Sequence, residues 1–95
     1  MEQTLKADGF DKAIIGIDFN YEPAKLVYSK QEMIQVLIDS DEMTLDDAIE
    51  YLEYNVFCAY VGEGTPIYID TGSPSEVLEM LEAYGWETTT AKHIN

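Results

Sequence analysis

The chain has 95 residues, 46% of them apolar, and nineteen acids face five lysines for a net charge of −14. One domain with one core is expected from that length. The balance argues against direct binding to DNA, RNA or anionic lipid, which is made through Lys and Arg. A single cysteine, Cys58, rules out an internal disulfide, and with no signal-like start or apolar run near 18 residues a reducing, cytoplasmic setting is expected.

Residues 1–10 show no clear period and read as a loose lead or a short helix, with Asp8-Gly9 as a turn. KAIIGIDFN (12–20) reads as a strand with Ile15, Ile17 and Phe19 on one face. NYEP (20–23) is a turn, and AKLVYS (24–29) alternates again, with Leu26 and Tyr28 together, so the two strands predict a hairpin.

Three helix starts carry one signature, a hydroxyl cap followed three residues later by an acid: Ser29…Glu32, Thr44…Asp47 and Ser73…Glu76, the last with Pro74 at the first helical position. The first helix, about 30–39, stripes Ile34, Leu37 and Ile38, with Met33 beside them. The second is expected from 45 to about 61, with Leu45, Ala48, Ile49, Leu52, Val56 and Ala59 inward and Gly62 as its stop. PIYID (66–70) reads as a strand. The third helix, 74–84, is expected to pack Val77, Leu81 and Tyr84, with Gly85 ending it, and WETTTAKHI (86–94) reads as a last strand. The prediction is a single α+β domain over 11–95, β-β-α-α-β-α-β, with a mainly antiparallel sheet and helices on one face.

The most apolar reach is EYLEYNVFCAYVGEGTPIYI (50–69), and Asn55 sits inside it. Helical spacing from Ala48 and Leu52 puts Asn55 on the core stripe, where its amide needs partners. The 62–66 loop is the nearest candidate, so Asn55 is expected to tie that loop, with Glu63 and Thr65 as neighbouring polar groups. Cys58 is expected to be an inert core thiol.

The charge is lopsided: residues 31–91 hold fourteen acids and no base. Asp46, Glu50 and Glu53 form one stripe on the second helix, and Glu76, Glu79 and Glu82 recur every three residues on the third. Tyr51 and Tyr54 lie beside the first stripe, and tyrosine suits interfaces because it is apolar with a polar tip. The stripes and the tyrosines make a candidate surface for a basic protein; an ordinary solvated face and a capped core edge are the plain alternatives. DSDEMTLDD (39–47) fails the calcium-loop pattern at Met43 and Thr44, so no metal is expected there. His93 is a lone histidine, Gly62 and Gly64 lack the lysine of a phosphate loop, and no nucleophile-base pair can be argued. Neither an enzyme nor a cofactor is expected.

GFDKAIIG (9–16) and DDAIEYLEYNVFCAYVGEGTPIYI (46–69), at this separation, resemble a group of small phage-type proteins of unknown function, over residues 9 to about 70. The resemblance implies a viral or prophage origin and transfers no catalytic residue. Small acidic phage products often bind host proteins, so the resemblance implies a host protein as partner, met in the host cytoplasm, and the charge of the chain expects that partner to be basic. The expected function is stoichiometric binding and blocking of such a protein, with nucleic-acid mimicry as a special case. The alternative is a small-molecule binder or sponge at Asn55 and the 62–66 loop, with self-association left open.

Overall fold

The computed structural model describes residues 3–91. Residues 3–10 form no helix. Thr4 Oγ1 donates to the Ala24 carbonyl at 2.6 Å, the Leu5 N–H to the Gly64 carbonyl at 3.2 Å, and the Ala7 N–H to the Tyr28 hydroxyl at 2.8 Å. Phe10 follows as a buried core residue. The segment read as a loose lead is thus held to three separate parts of the domain.

A 3-10 turn, Asp11–Ala13, delivers the chain into β1, Ile14–Asp18, which pairs antiparallel with β2, Lys25–Ser29. The register slips between Ile14 and Gly16, so Ile14 faces Tyr28 while Gly16 faces Val27. This bulge adds one residue to β1 and resets its alternation. Ile14 packs on the core, whereas Ile15, Ile17 and Phe19, expected to share a face, are all exposed; the bulge separates Ile15 from Ile17, which pairs with Leu26 yet stays in solvent. The turn between the strands contains a cis Glu22-Pro23 bond.

Ser29 ends β2 and caps α1, Lys30–Asp41, its hydroxyl accepting from the Glu32 N–H at 3.2 Å. The helix buries Met33 and Leu37 and stops at Glu42, which is left-handed at φ 55°. Thr44 then caps α2, Leu45–Leu52. β3, Ile67–Ile69, pairs parallel with β2, making a three-stranded mixed sheet in the order β1-β2-β3. The parallel pair corrects the expected antiparallel continuation: two helices intervene between β2 and β3, and a helical crossover returns the chain in the same direction. Residues 86–91 form no strand, and the remainder of the expected last strand lies outside the described residues.

The α+β class is as expected. The core is Phe10, Ala13, Tyr28, Met33, Leu37, Ala48 and Leu52, with Ile14, Leu26 and Tyr68 packed against it from the sheet. All these sheet residues share one face by pairing and alternation, so α1 and α2 cover that face. The molecule measures 44 × 39 × 20 Å, and its thin dimension matches one sheet plus one helical layer.

α3, Pro74–Ala83, follows β3 with a complete capping box: Glu76 N–H donates to Ser73 Oγ at 3.2 Å, and Ser73 N–H donates to Glu76 Oε1 at 2.9 Å. It ends on Gly85 at φ 90°, where the Gly85 N–H bonds the Glu82 carbonyl and the Trp86 N–H bonds the Leu81 carbonyl. The loop before it is knotted to the start of α1. Gln31 Oε1 accepts from the Thr71 N–H at 2.8 Å, Gln31 Nε2 donates to Asp70 at 3.0 Å, and the Ser29 and Thr71 hydroxyls bond at 2.6 Å. Yet no α3 residue is buried. Val77, Leu81 and Tyr84, expected in the core, are exposed, because α1, α2 and the N-terminal segment already fill the core against the sheet.

Three outcomes follow from these contacts. A methyl at Gly64 would stand 2.0 Å from the Gln3 carbonyl, so Gly64→Ala should lower the thermal midpoint in calorimetry, by about 1–3 kcal/mol of stability. Glu42→Gly should raise it by roughly 0.5–1 kcal/mol, since a left-handed backbone penalises any Cβ. Hydrogen bonds from the Ser73 backbone and then its hydroxyl hold the Glu76 carboxyl below the usual glutamate range, against a slight opposing effect of desolvation. A lowered folded pKa means the cap is complete above the ordinary glutamate pKa and is lost as pH falls through the lowered value. NMR titration of the Ser73 amide should show that transition, and Glu76→Gln should remove it.

Candidate functional site

Ala48 and Leu52 anchor α2 in the core, with Ile49 half-buried, while Leu45 is exposed at its first turn. The helix then widens into a π turn over Glu53–Phe57 and ends at Cys58, short of the expected residue 61. A π turn inserts residues into the helical phase and recurs at functional positions. The widening explains Asn55. Instead of continuing the stripe of Ala48 and Leu52, Asn55 turns to solvent, and its Nδ2 donates to the Tyr51 carbonyl one turn back at 3.0 Å.

The expectation that Asn55 is buried and ties the 62–66 loop is therefore corrected. That loop is held by Thr65, whose Oγ1 accepts from the Val61 N–H at 3.0 Å and donates to the Gly62 carbonyl at 2.5 Å, and by the N-terminal segment at Gly64. Glu63 is exposed on the loop. Cys58 and Ala59 are exposed rather than core, because the helix stops before them.

The π turn also sets the tyrosines. Tyr51 is 43% exposed and Tyr54 80% exposed, projecting from consecutive turns with Glu50 and Glu53 beside them in solvent. Together with Met43 and Asp47, residues Glu50, Tyr51, Tyr54 and Asn55 line an open groove of about 480 Å³. Asp46 is exposed in the first turn of the same helix, where negative charge also suits the helix dipole. On the other side of Tyr51 and Asn55 a second hollow of about 320 Å³ reaches Phe10, Pro66 and Tyr68. Burial, and then the nearby Tyr28, push the Tyr68 phenol up from its ordinary pKa, so it stays a neutral donor.

The two acidic stripes do not line one site. Glu76 is committed to the cap of its own helix, which leaves Glu79 and Glu82 exposed on α3. The residues of α3 line a different cleft, of about 250 Å³, formed by Asp70, Val77, Met80, Leu81, Tyr84 and Trp86. That cleft escapes a reading that assigns α3's apolar side to the core; the signal available was its breadth, since Leu78 and Met80 widen the stripe of Val77 and Leu81. Met43 joins the tyrosine groove only through the turn between α1 and α2, whereas Asp47 stands one helical turn before Glu50 and Tyr51 on α2 itself.

The groove on α2 combines two aromatic faces, a thioether and two carboxylates at one open depression. That set attracts an ammonium or guanidinium group, through the ring quadrupoles and by charge pairing. Among the described residues no helix is long and apolar enough to cross a membrane. No family model matches the chain, and neither a curated protein nor a solved structure does.

Proposed function

We propose that the protein works by stoichiometric, non-enzymatic binding to a basic protein, with the α2 groove receiving lysine or arginine side chains and the surrounding acids steering the encounter. The observation that carries this reading is the groove itself, where Tyr51 and Tyr54 stand exposed beside Glu50 and Asp47. Tyrosine supplies contact area at little conformational cost, and carboxylates that flank it select cations. The fourteen acids and absent bases of residues 31–91 add a long-range attraction for a cationic surface. Binding would occlude that surface.

The resemblance to phage-type proteins supports a host protein as the target and the host cytoplasm as the place. Where the occluded surface normally holds DNA or RNA, the same binding is mimicry. With Glu76 engaged in capping, mimicry rests on Asp46, Glu50 and Glu53 more than on α3. A second reading, a small-molecule binder, has the hollow between Asn55, Pro66 and Tyr68 in its favour, as its volume is at the lower end for ligand sites.

Tagged protein incubated with a bacterial lysate is expected to retain a near-stoichiometric partner at low salt and release it at high salt. Tyr54→Ala should weaken the purified complex by roughly 30-fold, as for a central aromatic anchor, and the pair Glu50→Lys with Glu53→Lys should slow association. A partner captured equally by these variants would sink the electrostatic reading. A rise in melting temperature with a metabolite fraction, lost in Asn55→Ala, would favour the second reading instead.

A further inference from the structure

We propose that the outer face of the sheet and the apolar side of α3 are two halves of one self-association surface, completed when each α3 lies across the sheet of a second copy of the chain. Strand alternation puts Val27 opposite in facing to Leu26 and Tyr28, and its cross-strand partners Gly16 and Ile67 share its side, with Ile69 two residues on. None of these four belongs to the core or packs against it. The helix is the matching half. Tyr84 is 82% exposed and Trp86 67% exposed, with Val77, Leu78 and Leu81 beside them.

Area is sufficient for a second copy, and charge selects this arrangement among the self-pairings. The two surfaces together offer on the order of 800 Å² of apolar surface per chain, the amount a standard stable interface buries on each partner. By helical spacing Glu79 lies behind the apolar side of α3 and Glu82 at its edge, and residues 31–91 contain no base, so α3 against α3 would gather carboxylates with no cation to offset them. The sheet face carries Lys25 opposite Asp18, which offset one another, and offers α3 a surface without excess negative charge. Each copy holds both halves, so a two-fold axis satisfies both contacts and closes the assembly at a dimer. A helix laid on a bare sheet face is also the layering that α+β domains adopt.

The inference is independent of the α2 groove, and its failure leaves that reading intact. Trp86 is the one tryptophan of the chain and lies on the proposed surface, so it reports directly. Sedimentation equilibrium over rising concentration of the full chain should give a dimer mass, with Trp86 emission shifting to the blue over the same range. Leu81→Glu and Ile69→Glu, checked for folding by circular dichroism, should each weaken dimerisation at least about tenfold. An equimolar mixture of the two should partly restore it, because one intact helix-on-sheet contact remains. A wild-type chain that stays monomeric with water-like Trp86 emission overturns the proposal. A dimer lost in Leu81→Glu but intact in folded Ile69→Glu also overturns it, by showing that helix pairs with helix.

Discussion

Tyr28 is the residue on which most of this structure depends. It is fully buried at the centre of the sheet, faces Ile14 on one side and Tyr68 on the other, and its hydroxyl oxygen accepts from the Ala7 N–H. A buried phenol needs a hydrogen-bond partner. Here that need draws the N-terminal segment across the end of the sheet and seats Phe10 in the core. The same segment reaches Gly64, so the loop entering β3 is set from the same place. One buried polar atom thus coordinates the start of the chain, the middle strand and the parallel strand.

The next residue, Ser29, couples the other end. It closes β2, caps α1 and bonds Thr71, while Gln31 holds Thr71 and Asp70. The start of α3 is therefore fixed with care although the helix itself is uncovered. A small domain has limited apolar surface to bury and limited interior to bury it in. In this one the interior is spent on α1, α2 and a single sheet face. Among the surfaces left open on the described residues are the tyrosine groove, the α3 stripe and the outer sheet face. Their chemistry differs. The groove pairs aromatics with carboxylates, which suits cations. The other two are apolar and complementary in shape class, which suits one another.

Acidity shapes what these surfaces can meet. With no base between residues 31 and 91, a negatively charged partner is disfavoured along α2 and α3, while Lys30 opens α1 and Lys6 and Lys12 stand beside its Val36 and Ser40. That discrimination operates before contact and favours cationic proteins at the groove. Against the apolar surfaces it works as negative selection among self-pairings, since helix against helix concentrates carboxylates and helix against sheet does not.

Helix starts were readable from the chain alone, because a hydroxyl cap acts within one turn: Ser29, Thr44 and Ser73 all cap as the residues dictate, and at α3 the acid three residues later also bonds back. The α+β class, the inward placement of Met33, Leu37, Ala48 and Leu52, and the stop at Gly85 are local or periodic features of the same kind. The exposure of Tyr51 and Tyr54 beside Glu50 and Glu53 was legible too, from their position off the stripe. The bulge that turns Ile15 outward and the parallel pairing of β3 were not, because each depends on which distant backbone supplies a hydrogen bond; nor was the π turn that frees Asn55, because a periodic reading assumes one helical pitch throughout. The same holds for α3: its apolar side is written in the sequence, but whether that side meets a core depends on where the other helices have already packed. Residue order determined the elements, their caps and the charge; tertiary packing decided which apolar faces were covered, since one small interior cannot cover them all.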